Sequence, residues 1–302
     1  MRSGHEKIDM KTPRPLRAPA LRRAWLFVPG INANGHAPAL ASGADAIVVD
    51  LEEMTTPEDR PVARKRIVAM LRESERLGLI GAVRINKLEN DGQADLESIM
   101  PGAPHAVFLP HTETTDQLAA LDAAISAFER IHGIGQGTTE IVPTIESAKG
   151  LIALSALLNV SPRIQCCMLA VEDLAANLGA RRTPEGRELL YARSRFLIEC
   201  IAADCIAIDL PCTYRSAGVL AAELDLSTQL GFTSKCVVFA EHVDAVNRAL
   251  TPSSAAAANA RATLVAYDAQ GPYADASKWL DAPERNNARR LLARYEAFQD
   301  NR

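Results

Sequence analysis

Short apolar runs recur along the chain at 24–29 (AWLFVP), 46–51 (AIVVDL), 81–86 (GAVRIN), 105–110 (HAVFLP), 140–146 (EIVPTIE), 164–172 (IQCCMLAVE), 205–211 (CIAIDLP) and 235–240 (KCVVFA). They are near-continuous rather than alternating, the pattern of parallel strands covered on both faces. Helical patterns lie between them. Residues 57–77 carry Val62, Ile67, Met70, Leu71 and Leu77 among basic residues; 114–132 and 147–159 are rich in Ala and Leu; 185–203 and 241–250 complete the set. Eight strands alternating with helices predict an α/β fold, a (β/α)8 TIM barrel. The main rival, a doubly wound open sheet, usually opens on a glycine-rich turn. Here the first strand runs into PGINANG, which is not GxGxxG, and there is no Walker-type loop.

Beyond the barrel, a Pro/Ala/Ser-rich stretch near 251–262 reads as a hinge. It leads to a helix over 283–298 (PERNNARRLLARYEAF) with Leu291, Leu292 and Tyr295 on one side. The predicted organisation is a flexible basic arm (1–20), a barrel (21–252) and a C-terminal helical extension (253–302).

Composition narrows the classes. Of 302 residues 48% are apolar but only 5% aromatic, so the core must rest on Ala, Leu, Ile and Val. A net charge of −4 argues against a nucleic-acid footprint, which needs a basic face. The exception is the N-terminus, where Lys7, Lys11, Arg14, Arg17, Arg22 and Arg23 crowd together with three prolines. That segment lacks the apolar core of a signal peptide. No apolar run reaches the ~18 residues of a membrane helix. Cys166, Cys167, Cys200, Cys205, Cys212 and Cys236 form no CxxC pair and no zinc pattern. They read as buried thiols of a cytoplasmic protein.

The chemistry lies where the strands end. In a barrel the site forms at the C-terminal ends of the strands. Strand two ends in Asp50, Glu52 and Glu53; strand three holds Arg84 and Asn86; His111 follows strand four; Glu146 ends strand five; Glu172 and Asp173 end strand six; Asp209 lies in strand seven; Lys235 opens strand eight. Converging carboxylates repel one another unless a hard dication sits between them. Mg2+ commonly takes one or two carboxylates with waters and substrate oxygens. Glu146 and Asp173, from adjacent strands, are the candidate pair. Glu58, Asp59 and Glu185 read instead as helix N-terminal charges. Arg84, inside a strand, must be paired. It is suited either to a bidentate oxyanion contact or to an ion pair with Asp50 or Glu52.

The ordered set RAWLFVPG, ADAIVVDLEEMTTPEDRPVAR, VRIN with Asp95-Leu96 downstream, FLPH, IVPTIESAKGL, LAVEDLAANLGARRTPEG, LLYARSRFL, AIDLP and GFTSK resembles the citrate lyase β-subunit-like proteins of the HpcH/HpaI aldolase superfamily over about residues 23–252. The resemblance implies a Mg2+-dependent carbon–carbon lyase on 3-hydroxyacyl-CoA thioesters such as citryl-, malyl- or citramalyl-CoA. It also implies a homo-oligomer, a trimer or hexamer. It makes Glu146 and Asp173 the Mg2+ ligands. Asp50 and Arg84 become catalytic-mouth residues, with Glu53 at the family's second Asp position. Arg84, Glu146 and Lys235 become substrate contacts.

The chain departs from the pattern at His111 (usually Lys), Ala170 and Ser234 (each usually Gly), and Phe239-Ala240 (often His-Pro). Two alternatives stay open: a CoA-independent aldolase on a pyruvate- or oxaloacetate-type oxo acid, and a non-catalytic metabolite-binding scaffold.

Overall fold

The computed structural model describes residues 16–31, 33–271 and 280–300. Eight parallel strands close into a barrel in chain order: β1 (Ala24–Pro29), β2 (Ala46–Asp50), β3 (Ile80–Arg84), β4 (Ala106–Leu109), β5 (Glu140–Ile145), β6 (Cys166–Leu169), β7 (Ile206–Asp209) and β8 (Ser234–Val237). Trp25 beside Cys236 is part of the seam between β1 and β8. The connections hold α1 (Ala33–Leu40), α2 (Arg60–Arg76), α3 (Gln93–Ile99), α4 (Thr115–His132), α5 (Ala148–Leu158), α6 (Val171–Asn177), α7 (Leu190–Ala202) and α8 (Ala217–Leu230), and β8 is followed by α9 (Val243–Leu250). The predicted TIM barrel is the fold observed.

Side chains alternate along each strand between barrel interior and helix layer. Trp25, Phe27, Val48, Ala82, Phe108, Val142, Met168, Ile208 and Cys236 fill the interior. Ile47, Val49, Val83 and Val107 face outward, in one apolar cluster with Ile67, Met70 and Leu71 of α2. The few aromatics matter more than their number suggests. Phe108 meets Trp25 and Phe27 edge-on, each with ring centroids 5.5 Å apart, and Trp25 Nε1 donates to Ser234 Oγ at 2.9 Å. In α2, Ala63 rather than the expected Val62 takes the buried face; Val62 is exposed.

The stretch expected to be a hinge is instead helical. α10 (Ser254–Gln270) starts on a Ser253 side chain that accepts the Ala256 N–H at 3.0 Å. It packs against α11 (Ala282–Asp300) through Ala257, Ala260, Ala288 and Leu292, with Leu291 and Tyr295 beside them. Alanine is the strongest helix former, which explains why a low-complexity stretch here is ordered.

α11 also reaches the N-terminal end of the barrel. Arg294 donates to the carbonyls of Ala20, Thr233 and Leu250, and Arg17, Arg23 and Arg294 stand over the Phe298 ring. Arg17 and Arg23 pair with buried Asp45, and Arg22 makes a two-point contact with Glu140 at 2.6 and 2.8 Å. Most of the arm expected to be flexible (residues 1–15) lies outside the described residues. Arg17, Arg22 and Arg23 are committed to the floor of the barrel, at the end opposite the candidate site.

Phe108→Ala should remove both edge-on contacts and cost about 3–5 kcal/mol. An unchanged midpoint in urea unfolding would contradict this packing.

Candidate active site

Strand register builds the polar cluster. Positions 46, 48 and 50 of β2 and 80, 82 and 84 of β3 face inward, and Asp50 is the direct partner of Arg84. Both are buried. Arg84 Nε donates to Asp50 Oδ1 at 2.9 Å and Nη2 to Oδ2 at 2.5 Å. Its Nη1 lies 3.0 Å from Glu52 Oε2 and Nη2 lies 3.4 Å from Glu53 Oε2. The guanidinium also stands over the Phe27 ring. Asp50 accepts the backbone N–H groups of Glu52 (2.8 Å) and Met54 (3.1 Å), so the loop after β2 is wrapped around its carboxylate. Burial works against the Arg84 charge, but Asp50, Glu52 and Glu53 outweigh it and hold the guanidinium protonated.

A second group forms at the ends of β4 and β5. His111 adopts a left-handed backbone (φ 48°), unusual for a residue with a side chain. Its loop is pinned by Thr112 N–H to the Thr144 carbonyl at 3.1 Å. Gly150 of α5 lies against that loop: a Cβ there would stand 2.6 Å from the Thr112 carbonyl oxygen. His111 is held between two acids, Nδ1 2.5 Å from Glu146 Oε2 and Nε2 3.6 Å from Glu52 Oε1. These contacts raise its pKa to about 10, burial opposing them. Burial acts to raise the Glu52 pKa, yet His111 and Arg84 bring it below the usual value.

Glu146 is the least satisfied of the acids. Its side chain is 1% exposed, and its one close partner is His111, at 2.5 Å from Oε2; no other donor reaches either oxygen. Burial pushes its pKa up, and the charge of Asp173 in the first turn of α6 adds to the rise, while His111 and Arg84 pull the other way. Burial likewise raises Glu53, with Asp173, Glu52 and Glu146 adding to it and Arg84 opposing. A buried carboxylate with one imidazole partner and a second oxygen left open, repelled by a neighbouring acid, suits a hard dication. Among the described residues no group of three or more His, Cys, Asp or Glu has the placement to hold a metal. The two-carboxylate set of Glu146 and Asp173 matches the sparse protein ligation usual for Mg2+.

The cluster opens on a cavity of 190 Å3. Its lining carries the charged Arg84, Glu53, Glu172 and Asp173 together with the apolar Phe27, Met54, Met168, Cys236 and Val238. Thr213, from the loop after β7, donates to Glu172 at 2.9 Å and closes the rim.

Residues 23–240 match the family model described as HpcH/HpaI aldolase/citrate lyase. The chain belongs to that family. It is 30% identical over 284 residues to the citrate lyase subunit beta of Escherichia coli (strain K12), covering 91% of this chain and 93% of the relative. It is 27% identical over 287 residues to the L-malyl-CoA/beta-methylmalyl-CoA lyase of Rhodobacter capsulatus, covering 85% and 86%. Among solved structures it resembles CitE from Mycobacterium tuberculosis in complex with magnesium, acetoacetate and coenzyme A. The TM-score there is 0.77 at 26% identity, over 92% of this chain and all of that one.

Within the HpcH/HpaI frame, Asp50, Arg84, Glu146 and Asp173 gather at one mouth. Lys235 does not join them. Cys236 and Ser234 face the barrel interior, so Lys235, between them in β8, faces the helix layer. It is 1% exposed, with Nζ 2.5 Å from Glu223 Oε1, 2.6 Å from the Leu210 carbonyl and 3.1 Å from Asp209 Oδ2. Asp209, also expected at the mouth, is its strand partner and is bound by Arg193 and Ser227 behind the barrel wall. The expected substrate contact of Lys235 is therefore corrected: its ammonium is consumed by structural partners. The one-residue parity of a strand was the signal that could have shown this. The bridging position of His111 had no such signal. Of the other departures, Ala170 lines the cavity, Ser234 receives Trp25, and Phe239 lies under Arg215, 4.1 Å from guanidinium to ring centre.

Because the folded state raises His111 above its ordinary value near 6.5, its pairing stabilises the protein fully below that pH. The stabilisation is lost as pH rises through about 10. In EDTA, the stability deficit of His111→Gln should be largest near pH 6 and shrink as pH climbs to 10. A deficit independent of pH would contradict the charged bridge.

Proposed function

We propose that this protein is a Mg2+-dependent carbon–carbon lyase that splits a 3-hydroxyacyl-CoA thioester, such as citryl-, malyl- or citramalyl-CoA, into an acyl-CoA and an oxo acid. The observation that carries the reading is Glu146: a buried carboxylate with His111 as its one close partner, repelled by the charge of Asp173, which lines the cavity that Arg84 enters.

The reaction removes the proton of the carbinol hydroxyl, breaks the adjacent carbon–carbon bond, and moves its electron pair into the thioester carbonyl. The resulting enolate then takes a proton at carbon. Glu146 and Asp173 would hold Mg2+, which when bound would offer positive charge to the substrate oxygens. The chain does the rest. Asp50 grips Arg84 at two points and fixes its plane, so the guanidinium is already oriented toward the cavity when negative charge develops. Glu53 lines the same cavity, its pKa pushed upward by burial with Arg84 opposing, and is the carboxylate we assign to take the carbinol proton. The apolar wall excludes water from the enolate.

The CoA moiety is read from the relatives named as malyl-CoA lyases and from the CitE complex with coenzyme A. We place the protein in the cytoplasm as a homo-oligomer, a trimer or hexamer. Six free, buried thiols suit a reducing compartment. The exposed stripe of Tyr191, Ile198 and Ile201 on α7 suits a subunit contact. No described helix is long and apolar enough to cross a membrane.

The test is cleavage of malyl-, citramalyl- and citryl-CoA with Mg2+ and with EDTA, following free acyl-CoA and oxo acid. Cleavage should require the metal, and Glu146→Gln should lower kcat/KM by about a hundredfold or more. Cleavage indifferent to EDTA would overturn the metal reading. Mg2+ binding without cleavage of any thioester would favour the CoA-independent aldolase.

A further inference from the structure

We infer that the oxo-acid half of the substrate carries a single carboxylate, and that the remaining substituent on its carbinol carbon is a hydrogen or a methyl group rather than a carboxymethyl arm. This rests on the lyase reading above for the identity of the two halves and narrows the substrates that reading allows.

The argument begins with the supply of positive charge. Arg84 is the only cation lining the cavity among the described residues. Its guanidinium is already shared by Asp50, Glu52 and Glu53. The other cation at the mouth, His111, lies between Glu52 and Glu146. Six carboxylates, counting Glu172 and Asp173, thus face these two cations and Arg182, which lies 3.5 Å from Glu172 outside the cavity lining and is held by Glu188, and even a bound dication leaves no surplus positive charge. Lys235, which could have supplied one, is buried behind the wall with its own acceptors. A first substrate carboxylate can be met by the dication and the outer edge of Arg84. A second would enter beside Glu53, Glu172 and Asp173 with no partner, and burying an unpaired carboxylate is strongly unfavourable.

The apolar part of the lining points the same way. Phe27, Met54, Met168, Cys236 and Val238 offer the cavity only hydrocarbon and sulfur. Methionine adapts its shape to small apolar groups, and one methyl in such a pocket is worth about 10- to 200-fold in specificity. A carboxymethyl arm placed there would lose its water and gain no hydrogen bond.

Two measurements separate this inference from the reading beneath it. In the first, calorimetry with Mg2+ present ranks glyoxylate, pyruvate and oxaloacetate as ligands of the whole protein. Pyruvate should bind at least about tenfold more tightly than oxaloacetate. In the second, kcat/KM is compared for CoA thioesters whose carbinol carbon bears hydrogen, methyl or carboxymethyl beside its carboxylate. The carboxymethyl substrate should be the poorest by about a hundredfold against the best, and Met54→Lys should narrow that gap by improving it. Oxaloacetate binding as tightly as pyruvate, or the carboxymethyl thioester being cleaved as well as the others, would overturn the inference. Pyruvate preferred with no thioester cleaved would uphold it and sink the lyase reading instead.

Discussion

A guanidinium at the top of a barrel filled with hydrocarbon is tolerable only while carboxylates surround it. Arg84 stands over Phe27, 6% exposed, with Asp50 on two of its nitrogens and Glu52 and Glu53 on its flank. Much of the site follows from that constraint. The loop after β2 must fold back so that its backbone N–H groups reach Asp50, and this carries Glu52 toward His111. His111 in turn meets Glu146. One buried cation thereby fixes the acids at the ends of two strands, β2 and β5. The arrangement resists rearrangement because breaking any one pair strands a charge away from water.

The same device recurs away from the chemistry. Arg22 with Glu140, Arg163 with Glu129 and Asp122, and Arg193 with Asp209 each lock a strand end or a helix to the barrel. Such pairs contribute little net stability relative to apolar packing, but they penalise wrong pairings heavily. In a chain whose interior is mostly small aliphatic residues, they supply definition. They also explain why a charged strand residue is not by itself a catalytic signal: Asp209 and Lys235 belong to this structural class.

Much of this was legible in the residues, for reasons that can be named. All eight strands appear where continuous apolar runs placed them, because parallel strands buried on both faces leave that mark. Asp50 and Arg84 were readable as partners because each ends an inward-facing row. The run 164–172 was read too long: it stops at Leu169 and turns into α6, too short a helix to show a period. α8 and α10 were missed because their alanine-rich faces carry weak hydrophobic contrast, and propensity rather than pattern marks them. Lys235 was misplaced by one step of parity. The role of His111 could not be read at all, since it depends on a left-handed turn that brings a loop side chain between acids from β2 and β5.

The central claim is that the acids at this mouth are arranged for a dication. The most direct measurement is anomalous diffraction from crystals grown with Mn2+ in place of Mg2+. The account predicts a single strong peak between Glu146 and Asp173, within about 2.0–2.5 Å of an oxygen from each, with the His111 imidazole displaced from Glu146. A peak elsewhere, or none while His111 keeps its contact with Glu146, would contradict it.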